Sequence, residues 1–74
     1  MIYCVRFFAV ESHLHQIGFT LFKASPITRV YRRNEQAFTI RAPNVYGDLP
    51  EIIVADAFAL ADLPMPNWDL HWCD

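Results

Sequence analysis

Arg29, Tyr31 and Arg33 alternate along one short run of this chain, with Lys23 before it and Arg41 after it. Guanidinium groups on either side of an aromatic ring suit the capture of a polyanion, because the cations take phosphate oxygens while the ring offers a surface for a base. These five are the candidate residues for binding RNA, or an acidic face of a protein partner. Against that stands the habit of antiparallel sheets of turning a charged face to water alone.

Acid–base chemistry has fewer candidates. His15 is the candidate base, with Lys23 or Arg41 to hold a phosphate, and no other residue is expected to be catalytic. His13 and His15, two apart on a helix, project about 200° from one another and do not share a metal, and Glu11 is no better placed. His71 and Cys73 share a face of an extended tail, and Cys4 and one helix histidine would complete a zinc set. That set lacks any close Cys-x-x-Cys or His-x-x-x-His pair, so no metal and no other cofactor is expected. Gly18 and Gly47 are the only glycines, which leaves no phosphate-cradling loop.

The elements that must position these residues are bounded by length and composition. Seventy-four residues, 54% of them apolar and 15% aromatic, make one small packed domain. The formal charge of −2 conceals an uneven distribution: residues 48–74 hold six acids and neither Lys nor Arg. Arg6 interrupts the apolar start and no cleavage pattern follows it, so no secretory leader is expected. No apolar run is long enough to cross a bilayer, and no membrane partner is expected. Cys4 and Cys73 are therefore read as free thiols of a cytoplasmic protein.

Phe7, Val10, Leu14 and Ile17 recur at helical steps, and Gly18 supplies a left-handed stop on which Phe19 folds back. Residues 2–5 fit either a short strand or a helical lead-in. Strands are expected over 19–24, 28–33 and 37–41, separated by Ser25-Pro26 and by the polar turn 34–36. After a loop over 44–49 turning at Gly47-Asp48, Pro50 opens a second helix that buries Ile53, Ala57, Phe58, Leu60 and Ala61 and stops near Leu63. This is an α+β domain of two layers over residues 1–64, helix, three-stranded antiparallel sheet, helix. Residues 65–74 form a tail in which Trp68, Leu70 and Trp72 alternate with polar positions, as an edge strand or arm would. Two tryptophans need cover, from the body, a partner or a second copy of the chain in a homodimer.

The helix ending at Gly18-Phe19, the strand Thr20 to Lys23, Tyr31-Arg32, the run Phe38-Thr39-Ile40-Arg41-Ala42-Pro43, and the helix from Leu49-Pro50 to Ala61-Asp62-Leu63 resemble the HicA-like mRNA interferase toxins over residues 10–64. The resemblance implies a double-stranded-RNA-binding-like fold, ribonuclease activity against messenger RNA, and neutralisation by a HicB-type antitoxin. Members carry Gly-Ser-His at the start of the second strand, where the histidine is catalytic. Here that stretch is Pro26-Ile27-Thr28, so Thr28 stands in place of the histidine, and a lone threonine hydroxyl is no base near neutral pH. The leading expectation is a HicA-like module that binds RNA or a protein without cutting. The alternatives are a ribonuclease using another residue, and an inhibitor from a phage or other mobile element that masks a partner's basic surface.

Overall fold

The computed structural model describes residues 2–43 and 47–73. Along the chain they form β1 (Tyr3–Arg6), α1 (Phe7–Gln16), β2 (Thr20–Ala24), β3 (Thr28–Arg33), β4 (Gln36–Arg41), β5 (Asp48–Pro50), α2 (Glu51–Leu60) and β6 (His71–Trp72). Among the described residues, two helices and two three-stranded antiparallel sheets make an α+β fold, with strand orders β5-β1-β6 and β2-β3-β4. The second sheet is the one the alternating sequence predicts. The first is additional: residues 2–5 are strand, and part of the expected loop pairs with them as β5. The first three residues of that loop, 44–46, lie outside the described residues.

The α1 helix buries Phe7, Val10 and Leu14, as their spacing predicts. Gly18 then takes φ +97°, Phe19 N–H donates to the Leu14 carbonyl at 2.9 Å and Gly18 N–H to that of His15 at 3.1 Å. This closure satisfies helix-end carbonyls in a backbone shape that costs glycine least. α2 closes in the same way with Asp62 at φ +56°, Leu63 N–H donating to Phe58 and Asp62 N–H to Ala59. The left-handed turn at Asp62 ends the helix at Leu60, ahead of Pro64. α2 buries Ala57 and Phe58 as expected, together with Val54, whereas Leu60, expected in the core, is 89% exposed.

Phe38 lies at the centre of the core, edge-on to Phe58 at 4.9 Å, Phe19 at 6.2 Å and Tyr31 at 6.4 Å between ring centroids. Each such ring removes on the order of 200 Å² from water, so the cluster joins the second sheet to α2 and to the turn after α1 through its largest side chains.

The tail packs on its own chain. Trp68 sets its ring 5.9 Å from Phe58 and 5.7 Å from His13. Beyond it β6 pairs with β1, Tyr3 opposite Trp72 and Cys4 opposite His71, and Cys73 N–H reaches the Ile2 carbonyl. This pairing brings the two ends of the chain together and corrects the reading of the cysteines: Cys4 and Cys73 are joined in a disulfide, their Cα atoms 5.2 Å apart, and are not free thiols. No helix among the described residues is long and apolar enough to cross a membrane.

Candidate nucleic-acid interface

Paired residues on neighbouring strands project to the same side of a sheet. Tyr31 is opposite Phe38 and Arg29 opposite Ile40, so this side of the second sheet, which also carries Arg33 and Gln36, faces the core. The other side carries Thr28, Val30 and Arg32 from β3 and, opposite them, Arg41, Thr39 and Ala37 from β4. From β2, Thr20 pairs with Arg32 and Lys23 with Val30, and the register shifts between Leu21 and Lys23. The shift leaves Phe22 on the outer side, 61% exposed, with the Arg32 guanidinium carbon 4.7 Å from its ring centroid.

The outer side therefore holds Lys23 and Arg32 beside an exposed aromatic ring, with Arg41 at the far end of the opposite edge strand, and its three strands contribute no carboxylate to it. Among the described residues the ion pairs are Arg29 with Glu11 and His71 with Asp48, and none of these three cations is in one. Asp56 approaches Arg41 only across the groove between β4 and α2. From strand spacing, Lys23 and Arg32 stand roughly 8 Å apart at the backbone, close enough to serve successive phosphates of one strand. An extended nucleic acid with one base on Phe22 and its backbone along the cations suits this surface.

The remaining expected binding residues are on the core side, which corrects the reading that groups all five. Tyr31 is buried and its hydroxyl donates to Glu11 Oε2 at 2.5 Å, so it offers no surface to a base. Burial, then the hydrogen bond and the charge of Glu11, push the Tyr31 hydroxyl well above its usual range, against a smaller downward pull from Arg29. Arg29 Nη1 lies 3.8 Å from the same Glu11 oxygen, and its guanidinium sits over Phe7. Arg33 donates to the Ile17 carbonyl and to Gln36 Oε1, both at 2.8 Å, and lies over Phe19. Gln36 in turn donates to the Ala61 carbonyl. Arg33 thus ties the end of α1 to the β3–β4 hairpin and is spent on the fold.

His15 is exposed on α1, its ring 6.4 Å from Tyr31 on the core side. The second sheet separates it from Lys23 and Arg41, so the expected acid–base set is not assembled. Thr28, where the family's histidine would stand, is opposite Arg41 on the outer side. Of the tail residues, Trp68 packs against the core, Leu70 is exposed, and Trp72 stacks on Tyr3 with centroids 4.3 Å apart. With the bridge closed, no three of the described His, Cys, Asp and Glu side chains are grouped to hold a metal.

Two residues of this outer surface escape the sequence reading, Phe22 and Arg32. A usable signal exists for Arg32. The turn at Asn34-Glu35 sets Arg33 opposite Gln36, which places Tyr31 against Phe38 on the apolar side and turns Arg32 outward. No family model, curated protein or solved structure matches this chain.

Proposed function

We propose that the chain is a small HicA-like binding module, lacking the catalytic histidine, that takes up single-stranded RNA on the outer side of its second sheet. The observation that carries this reading is Arg32 over the exposed Phe22 ring, with Lys23 next to it and Arg41 farther along the same side, none of the three in an ion pair among the described residues. An exposed ring next to cations offers a base a stacking surface with phosphate contacts beside it. The proposed cytoplasmic location rests on that role alone, because the free thiols that first suggested it are joined in a bridge. Fluorescence anisotropy with an unstructured RNA oligonucleotide tests it: the chain should bind at low salt, and binding that is absent, or unchanged in the Phe22→Ala, Arg32→Ala double variant, would retire the reading.

A ribonuclease reading keeps one favourable observation, the carboxylate of Glu11 held between Tyr31 and Arg29 with His15 on the same helix. Cleavage by the purified chain that is lost in His15→Ala would establish it. A protein partner, a HicB-like antitoxin or a second copy in a homodimer, would meet a different surface, where Ile2, Ile52 and Trp72 remain exposed beside the docked tail.

A further inference from the structure

The first sheet carries a second constellation that RNA binding does not use. Cys4 is opposite His71 on one side and Pro50 on the other, and Arg6 is opposite Asp48. Paired positions share a face, and so do residues two apart on a strand. Cys4, His71 and Asp48 therefore project from the same face, and the bridge places Cys73 with them. His71 and Asp48 reach over β1 from the strands on either side until Nε2 and Oδ2 are 2.8 Å apart. They do so without forming a hydrogen bond, so His71 Nε2 and the other carboxylate oxygen, Asp48 Oδ1, are both buried and unpartnered. Buried polar atoms left without a partner are costly, and this pair leaves two of them on one face.

We propose that reduction of the Cys4–Cys73 bridge opens a metal site on this face for zinc or a similar thiophilic divalent cation, with Cys4, Cys73, His71 and Asp48 as ligands. The reductant is a dithiol: it passes two electrons and two protons to the bridge, becomes a disulfide itself, and leaves two cysteine thiols. The cation then displaces both thiol protons, and the imidazole keeps its single proton on Nδ1. Two thiolates, one imidazole and one carboxylate form a four-coordinate set that zinc accepts. Tetrahedral bonds of about 2.3 Å to sulfur separate the two sulfurs by roughly 3.8 Å, and bonds of about 2.0–2.2 Å to nitrogen and oxygen separate those atoms by roughly 3.3 Å. The second figure asks the His71–Asp48 gap to widen by only about half an ångström. The first is reached by turning the cysteine side chains, since their Cα atoms are already 5.2 Å apart. Arg6 shares this face and offsets the excess negative charge of three anionic ligands around a dication. The helix histidine that the sequence suggests as fourth ligand is engaged elsewhere, since His13 packs on Phe58 and Trp68. Bridge and metal exclude one another, so the site exists only in the reduced chain.

Cobalt and zinc titrations of the full chain test this, with the reductant removed under anaerobic conditions. The reduced chain should take up one equivalent of Co²⁺ with sulfur-to-cobalt charge-transfer absorption and the intense visible bands of a tetrahedral site, and Zn²⁺ should abolish both. The oxidised chain should show neither. His71→Gln and Asp48→Asn should each weaken uptake by about tenfold or more. Circular dichroism of the two variants with their bridges intact, unchanged from the parent, separates lost ligands from lost fold. A reduced parent chain that takes up no cobalt would overturn the proposal, as would affinity equal to the parent's in both variants.

Discussion

Arg32 lies over the ring of Phe22, guanidinium carbon 4.7 Å from the centroid, on the side of the second sheet that faces away from the core. The pair is held by an irregularity in β2 that turns Phe22 outward, and it gives an otherwise open sheet a platform between charges. Removing the ring by Phe22→Ala should weaken RNA binding by about 1–3 kcal/mol, the usual worth of one stacked base. Lys23→Ala with Arg41→Ala should leave that stack and act on the salt dependence, whose log–log slope changes by about 0.7 for each single-strand phosphate that is no longer neutralised. Affinity against salt for these two variants checks both. Equal slopes in parent and double variant would mean that Lys23 and Arg41 meet only water.

Arg33 should behave in the opposite way. Its donors satisfy the Ile17 carbonyl at the end of α1 and hold Gln36, so Arg33→Ala should lower folding stability by about 1–3 kcal/mol. It should leave RNA affinity unaltered wherever the variant is folded. Urea unfolding beside anisotropy decides this, and reduced affinity at unchanged stability would return Arg33 to the binding surface.

How much of this was legible turns on parity. The alternation over residues 28–33 and 37–41 announces two strands, and Thr28–Arg33 forms as read. Alternation separates two faces without saying which is buried, and a tyrosine between arginines reads as exposed although Tyr31 is in the core. Register resolves it, since the apolar partners Phe38 and Ile40 lie across from Tyr31 and Arg29. The aliphatic stems of Arg29 and Arg33 cover that side's margin while their charged ends reach Glu11 and the end of α1. The first sheet was less legible because β5 and β6 span three and two residues, too few to establish a period. Its pairing depends on long-range closure that local pattern does not encode, and the disulfide follows from that closure.

Tyr31 should leave its mark at alkaline pH. Its hydroxyl titrates near about 10 in an unfolded chain and is raised in the folded one, chiefly by burial. Its contribution is therefore fully present below about pH 10 and is lost as pH rises from there through the folded-state value, at up to about 1.4 kcal/mol per pH unit. In Tyr31→Phe the alkaline limb of stability should be shallower. At neutral pH the loss should be about 1 kcal/mol, because the Glu11 side chain, 32% exposed, can turn to water. Chemical unfolding at a series of pH values measures both, and identical alkaline limbs in the two chains would refute the assignment.

The tail gives the last test, because its strand, Trp68 and Cys73 are all engaged within one chain. β6 covers an edge of β1, Trp68 packs on Phe58, and the bridge closes a separation of 69 residues. A crosslink of that kind typically contributes about 2–4 kcal/mol, mainly by restricting the unfolded chain. Small domains hold only about 5–15 kcal/mol in all. Cys73→Ser should therefore lower the unfolding temperature markedly, and a chain ending at Pro66, which also loses Trp68 and β6, should be close to unfolded at room temperature. Light scattering of the intact chain should give a monomer mass, since no arm remains to exchange with a second copy. Retained stability in the chain ending at Pro66 would show that the docked tail adds nothing to the fold. A dimer mass that falls to monomer in Trp72→Ser would instead move Trp72, half-exposed on Tyr3, to the centre of an interface between copies.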